Sequence, residues 1–367
     1  MKRIDLALQG GGAHGAFTWG VLHRLLTTKN LWIAGISGTS AGAMNAVVLA
    51  DGLTRGGGPG AIEALERFWR AVAERSRLLS WAQNPLDILF GRNSLQASPA
   101  SAWFEAWSRL FSPYQFNPLN LNPLRDLLVQ QIDFERVRAC DSLSLFVTAT
   151  NVRTGKPHVF RRHEIGADAV MASACLPEIF QAVEIDGEAY WDGGYMGNPV
   201  LSPLVEESEG EDLLLVQINP IERVEVPRSA RDIANRLNEI VFNASLIKEV
   251  RSIWLMKWLV EHEGLNRERY RAMRLHRIHA ERELGALDRR SKVNTEWAFL
   301  RQLHDLGWRV ADDWLATNLK HIGRRSTVDV ERVFLWPGFA GVTARKIVMS
   351  PERTLRRHDS PPRRSAG

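Results

Sequence analysis

The first 50 residues alternate apolar runs with clusters of glycine, and this order limits the fold more than any other feature of the sequence. Residues 3–9 and 31–37 have the short apolar composition of buried strands, and each runs into a glycine-containing turn. Helical patterns at 13–29 and 41–50 follow these turns. A strand–helix–strand–helix order requires a parallel sheet with crossover helices. We therefore expect an α/β fold with a mainly parallel central sheet flanked by helices.

Alternating strand and helix patterns continue along the chain until about residue 225, after which long helical patterns predominate. We expect a domain at 1–225, a largely helical C-terminal extension at 226–335 and a basic, disordered tail at 336–367. Within the first domain, residues 78–123 are rich in Asn, Pro and Trp and predict an irregular insertion with short helices. The remaining strand patterns lie at 143–150, 157–161 and 213–218, and the remaining helical patterns at 61–77, 166–174, 229–262 and 291–320.

Composition narrows the class of protein. Of the 367 residues, 45% are hydrophobic and 24% charged, which is ordinary for a globular protein. No run reaches about 18 apolar residues, and the N-terminus shows no signal peptide. The two cysteines, Cys140 and Cys175, indicate neither a disulfide framework nor a zinc site. We expect a cytoplasmic protein without a metal or an organic cofactor.

The charge is concentrated at the C-terminus. Residues 344–367 hold seven basic and two acidic side chains, which accounts for the whole net charge of +5. Such a segment is typical of a solvated tail, while attraction to anionic lipid head groups at the inner membrane surface is the sharper alternative. No other feature favours nucleic acid, so no nucleic-acid partner is expected.

The first glycine cluster is Gly10, Gly11 and Gly12, followed by His14 and Gly15. The spacing matches a dinucleotide-binding loop, but that site needs an acidic residue about 20 positions further on. No acidic residue occurs between Leu6 and Ala50. A run of small residues at a strand-to-helix turn still exposes backbone N–H groups to an anion, which includes one that forms during a reaction.

The second cluster is Gly38-Thr39-Ser40-Ala41-Gly42, a G-x-S-x-G pattern between a strand and a helix. This context is that of a nucleophile elbow, whose strained turn leaves no room for a Cβ at the flanking positions. The helix N-terminus would favour negative charge near Ser40. The plainer alternative is a turn in which Ser40 caps the helix.

A serine nucleophile needs a base, and Asp192 is the candidate. An α/β-hydrolase would place Asp and then His after the serine, but no histidine lies in a suitable late loop. Asp192 follows strand-like residues and precedes Gly193 and Gly194, which let its loop approach another backbone closely. Taken alone, Asp-Gly-Gly also describes an ordinary tight turn.

Together, these three motifs in this order resemble the patatin-like phospholipases. Residues 173–180 (SACLPEIF) also resemble the Ser-Ala-x-x-x-P segment that the family carries before its Asp-Gly-Gly. The resemblance covers residues 4 to about 220. It implies a patatin-like three-layer sandwich and a serine lipid acyl hydrolase.

The resemblance also implies a role for each motif. Ser40 is the implied nucleophile, Asp192 its base, and the backbone of the glycine cluster the oxyanion hole. The implied substrate is a phospholipid or another acyl-ester lipid. The residues implied to take part are Ser40 and Asp192 as the dyad, Gly10, Gly11 and Gly12 at the oxyanion hole, and His14, Gly15, Gly38, Gly42, Gly193 and Gly194 as support.

One position departs from the family pattern, which usually has Arg or Lys where this chain has His14. Histidine is only partly charged near pH 7, so we expect weaker or pH-dependent oxyanion assistance, or a residue that only packs. An acyltransferase, a polyester depolymerase and a non-catalytic lipid-binding protein remain alternatives. Tryptophans favour lipid interfaces, although they also fill cores. The candidates for membrane contact are Trp69, Trp81, Trp103 and Trp107, and less so Leu255, Trp258 and Leu259.

Overall fold

The computed structural model describes residues 1–83, 112–223, 225–267, 269–287 and 289–335. Within these ranges the strands form a single sheet. They are β1 (Lys2–Leu8), β2 (Leu31–Gly38), β3 (Ser144–Asn151), β4 (Pro157–Arg161), β5 (Val183–Ile185), β6 (Glu188–Asp192), β7 (Asp212–Gln217) and β8 (Arg274–His279).

The sheet is mainly parallel. Its order is β5-β6-β3-β2-β1-β7-β8, with β4 also paired to β3. The neighbouring strands β3, β2, β1, β7 and β8 pair in parallel, in that order. Strands β4 and β6 run antiparallel to β3. Leu8 of β1 pairs with Gly38 of β2, so the two glycine-containing turns leave adjacent carboxyl ends of the sheet. In open α/β sheets, ligands bind at the carboxyl ends of the strands.

Helices cover both faces of the sheet. The longer ones are α1 (Gly15–Leu26), α2 (Ala41–Gln83), α4 (Pro123–Gln131), α8 (Ala230–His262) and α10 (Trp297–Asn318). The shorter ones are α3 (Pro113–Phe116), α5 (Phe134–Arg138), α6 (Ala167–Ser173), α7 (Ser202–Glu207), α9 (Glu281–Gly285) and α11 (Val330–Phe334).

The alternation of side chains along β1 explains the two helical layers. Leu6 and Leu8 lie in one apolar core with α1 and α2, whereas Ala7 lies in a second core with residues of α7 and α8. Successive side chains of a strand point to opposite faces, so a strand that is apolar throughout needs helices on both sides. The predicted three-layer α/β fold with a helical C-terminal region is confirmed.

The region after residue 225 is built into this fold rather than appended to it. β8 pairs in parallel with β7 along its whole length and forms one edge of the sheet. Helix α10 packs on α1 at two glycines: a Cβ on Gly20 would overlap the His304 carbonyl oxygen, and one on Gly307 would overlap that of Phe17. The domain boundary near 225 stays a prediction.

Helix α2 joins two helical patterns that the sequence predicts separately. It contains a kink at Gly56 and Gly57, where the backbone leaves helical geometry. None of the described helices combines the length and apolarity that a membrane crossing requires. Most of the predicted irregular insertion (84–111) and the whole basic tail lie outside the described residues. Within the described part of the insertion, α2 continues to Gln83 and the short helix α3 lies near its end.

Candidate active site

Ser40 occupies the turn between β2 and α2 in a backbone conformation that few non-glycine residues adopt. Its φ is 54°, in the left-handed region. The glycines on either side have no space for a side chain. A Cβ on Gly38 would lie 2.7 Å from the backbone of Gly42, and one on Gly42 would overlap the Leu8 carbonyl oxygen. Ser40 therefore sits on a tight elbow immediately before the N-terminus of a long helix.

Asp192 ends β6 and enters the same region from the other side of β3. Its N–H donates to the Cys175 carbonyl (2.7 Å), and its carbonyl accepts from the Thr150 hydroxyl (2.8 Å). The Gly194 N–H donates to its carboxylate at 2.7 Å. A Cβ on Gly193 would overlap the Thr148 carbonyl oxygen, so glycine is needed for this approach. These contacts fix the carboxylate in one position.

The Ser40 side chain lies beside the Asp192 carboxylate, close enough to lower the pKa of that carboxyl. Asp192 is 1% exposed, and this burial raises the pKa of its carboxyl to about 7, against the opposing effects of the hydrogen bond from Gly194 and of the neighbouring Ser40 side chain. A carboxyl group with a pKa near neutrality can both accept and return a proton at physiological pH. Ser40 and Asp192 are thus a candidate nucleophile and a candidate base.

The glycine cluster lies beside this pair. A Cβ on Gly10 would lie 2.7 Å from the Ser40 Cβ. The Gly10 N–H donates to Asn198 Oδ1 at 2.6 Å, so of the three glycines Gly10 is the weakest candidate for an oxyanion donor. In the described part of the chain, the amides of Gly11 and Gly12 donate to no residue. Gly12 has a φ of 60°, which favours glycine. These two amides remain the candidate oxyanion donors.

His14 is buried next to the glycine cluster. It is 3% exposed, and burial together with the nearby Lys292 charge lowers the pKa of its imidazole to about 3. With this pKa His14 is neutral at pH 7, which favours the alternative that it only packs. Its Nε2 lies 2.7 Å from Ser291 Oγ. Gly15, which follows it, lets α1 approach α2, because its Cβ would lie 2.7 Å from that of Ala41.

Several residues at the site were missed at the level of sequence. Ser173 Oγ accepts the Ser40 N–H at 2.8 Å, although only its place in the SACLPEIF segment marks it. Asn198 and Asn219 both hold the Gly10 peptide, since Asn219 Nδ2 donates to the Gly10 carbonyl at 2.7 Å. Asn198 follows Asp-Gly-Gly closely and could have been examined for that reason. Asn219 and Lys292 carry no local signal.

Two other side chains of interest have structural roles. Trp69 is 3% exposed and its indole N–H donates to Asn45 Oδ1 at 3.0 Å, so the expectation that it contacts a membrane is wrong. Burial raises the pKa of the Cys175 thiol to about 12, which keeps it protonated beside Asp192.

The remaining membrane-contact candidates divide into two groups. The side chains of Trp81, Trp103 and Trp107 lie outside the described residues. Those of Leu255, Trp258 and Leu259 are half-buried on α8.

A family model settles the relationship of this chain to known proteins. The model of the patatin-like phospholipases matches residues 6–205, more than half of the chain. The chain belongs to the patatin-like phospholipase family. Membership supports a lipid acyl hydrolase activity, and the matched range contains the glycine cluster, the elbow and Asp-Gly-Gly. No curated protein sequence matches the chain significantly.

Solved structures of bacterial proteins show a distant likeness. VipD from Legionella pneumophila is 18% identical with a TM-score of 0.33; the match covers 83% of this chain and 66% of VipD, just under two thirds. The complex of SpcU with ExoU from the type III secretion system of Pseudomonas aeruginosa matches at 16% identity with a TM-score of 0.26, over 95% of this chain and 78% of that one. These scores are too low to support further argument.

Proposed function

We propose that this protein hydrolyses acyl-ester bonds of phospholipids or related lipids with a Ser40–Asp192 dyad. The observation that carries the proposal is the position of Ser40, on a strained elbow, beside a buried carboxylate whose pKa is raised to about 7. An ordinary helix cap would require neither the buried partner nor the strained backbone. The family supports the same class of substrate.

In the first half of the reaction, Asp192 accepts the Ser40 proton while Ser40 Oγ attacks the ester carbonyl carbon. The amides of Gly11 and Gly12 donate hydrogen bonds to the oxyanion that forms, and the N-terminus of α2 favours the same charge. The carbon–oxygen bond to the leaving alcohol then breaks, and Asp192 returns the proton to that alcohol. Ser40 is left as an acyl ester.

In the second half, water replaces the alcohol. Asp192 takes a proton from this water, whose oxygen attacks the acyl carbon, and the same amides hold the second oxyanion. The bond to Ser40 Oγ breaks, Asp192 returns the proton to Ser40, and the carboxylic acid leaves. One carboxyl group thus acts as base and acid in turn, which a pKa near 7 permits.

We further propose that the lipid reaches the site from a membrane surface contacted by α8. Exposed apolar side chains lie on one side of the N-terminal half of this helix, while Phe242, on another side, packs against the Gly194 turn. Exposed apolar stripes of this kind are typical of interfacial helices. The exposed residues are Ile233, Leu237, Ile240 and Val241.

Fatty-acid release from phospholipid vesicles tests the dyad. We expect release by the wild type and a loss of at least about a thousand-fold in Ser40→Ala and in Asp192→Asn. Ser252→Ala, which changes a serine on α8 bonded only locally to Lys248, should behave as wild type. Near-normal release by either dyad variant would overturn the proposal. Acyl transfer to an added alcohol in preference to water would change the reaction type while keeping the dyad.

Vesicle binding tests the membrane contact separately. Leu237→Asp should weaken co-sedimentation with vesicles and leave hydrolysis of a soluble ester unchanged, because it adds charge to the exposed stripe alone. Val129→Asp makes the same type of change at an exposed position on α4 and should not affect binding. Equal binding of Leu237→Asp and wild type would contradict this part of the proposal.

A further inference from the structure

A short segment of the C-terminal region lies directly against the glycine cluster. It is the 3-10 helix Arg289–Val293, outside the range that the family model matches. Ser291 Oγ is 2.7 Å from His14 Nε2, and a Cβ on Gly12 would overlap the Lys292 carbonyl oxygen. The cluster is therefore packed between the carboxyl end of the sheet and this segment. Movement of the segment would move the candidate oxyanion donors.

The Lys292 side chain continues this contact through a chain of hydrogen bonds. Its ammonium donates to Asn219 Oδ1 at 2.8 Å, and Asn219 Nδ2 donates to the Gly10 carbonyl at 2.7 Å. The N–H of Gly10 donates to Asn198 at 2.6 Å, so both polar groups of this residue are held. The Gly11 N–H belongs to the same peptide group as the Gly10 carbonyl that Asn219 holds. Its amide orientation is thereby set by the Gly10 peptide plane.

The charge on Lys292 makes these bonds stronger than a neutral network would be. Hydrogen bonds from an ammonium group are about twice as strong as neutral ones, and linked bonds polarise each other. The charge also acts across the glycine cluster, because it contributes to the lowered pKa of His14. Because burial keeps His14 neutral, Lys292 supplies positive charge beside the glycine cluster in its place.

We propose that Lys292 is a positioning residue of this site: through Asn219 and the Gly10 carbonyl it holds the Gly11 and Gly12 amides in place and favours the oxyanion. The inference rests on the proposed dyad chemistry and deepens it. It assigns to the C-terminal region a part in the reaction. Lys292 acts through Asn219, so it differs from the dyad residues, which contact the substrate.

The test compares Lys292→Met, which keeps the aliphatic stem and removes the charge, with Lys292→Arg. We expect Lys292→Met to lower kcat for a soluble ester roughly 10- to 100-fold with KM changed less than about twofold, because oxyanion donors act in the transition state. Inactivation by a fluorophosphonate should slow in parallel. Lys292→Arg should recover part of the loss, because a guanidinium can also donate to Asn219.

Two further variants separate positioning from folding. Lys257→Met removes a half-buried lysine of the same region, bonded to Ser326 at 3.1 Å, and should keep the wild-type kcat. Asn219→Ala should reproduce the Lys292→Met loss, and the double variant should lose little more, because both act through one chain of bonds. Thermal unfolding of Lys292→Met should stay close to that of the wild type.

Each outcome bears on a definite claim. Wild-type kcat in Lys292→Met, or a fully additive loss in the double variant, would overturn the inference. Equal loss of activity and of thermal stability in Lys292→Met and Lys292→Arg would overturn it too, since that pattern belongs to a folding defect. A wild type without Ser40-dependent turnover would instead overturn the proposed function, and the role of Lys292 with it.

Discussion

Among single residues, the proposed base Asp192 gives the clearest expectation for how activity depends on pH. Burial raises the pKa of its carboxyl to about 7, and only the ionised form can accept the Ser40 proton. We expect kcat/KM for a soluble ester to rise about tenfold per pH unit below pH 7 and to level off above it. The rate of fatty-acid release from an ester substrate that has no ionisable group, measured between pH 5 and 9, checks this prediction. A flat profile, or a fall towards high pH, would contradict the assignment of Asp192 as base.

The same raised pKa predicts that Asp192 lowers the stability of the folded protein. Because the folded state binds the proton more tightly than the unfolded state, with a pKa of about 7 against 3.8, stability falls as pH rises through this window. Asn keeps the shape without the charge. Asp192→Asn should therefore raise the free energy of unfolding at pH 8 by on the order of a few kcal/mol.

Thermal unfolding of Asp192→Asn and wild type at pH 8 and at pH 4.5 measures this effect. The difference between the two proteins should shrink at the lower pH, where the wild-type carboxyl is protonated in the folded state. A variant less stable than the wild type at pH 8 would show that the buried charge is better compensated than the structure indicates. Activity should be lost in the variant at every pH.

At the scale of elements, the contact between α1 and α10 connects the C-terminal region to the site. Gly307 lies against the Phe17 backbone, so Gly307→Ala should force the two helices apart and lower stability by about 1–3 kcal/mol. Gly166→Ala, at an open position with an ordinary φ, is the matched control and should have little effect. Urea unfolding of the three proteins checks the prediction, and equal midpoints would contradict it.

Strands and helices with strong local patterns could be predicted from the sequence. β1, β2 and β7 are apolar because parallel strands are buried on both faces, and the sequence marks them within one or two residues. β8 could not be found in this way. Its sequence, RLHRIH, places basic side chains in buried positions, and these depend on partners far away in the chain: His276 contacts Asp212 at 2.9 Å and Arg277 donates to Gln217 at 2.6 Å.

At the scale of the whole molecule, the same limit applies to the site. The order of the glycine cluster, the elbow and Asp-Gly-Gly can be seen in the sequence because each is a local turn with its own glycine requirement. The support of the cluster comes instead from long-range packing, since Ser291 is 277 residues from His14 along the chain. The position of Lys292 follows from the docking of α10 on α1, which no local pattern encodes. The sequence thus predicts candidate reacting groups but not the residues that hold them in place.

The central claim is that Ser40, activated by Asp192, is the nucleophile. The most direct measurement is to incubate purified wild type, Ser40→Ala and Asp192→Asn with a fluorophosphonate and to locate the adduct by intact mass and peptide mapping. The account predicts one adduct per wild-type chain on Ser40, no adduct in Ser40→Ala, and labelling slowed at least about a hundredfold in Asp192→Asn. An adduct on another residue, or Asp192→Asn labelled at the wild-type rate, would contradict it.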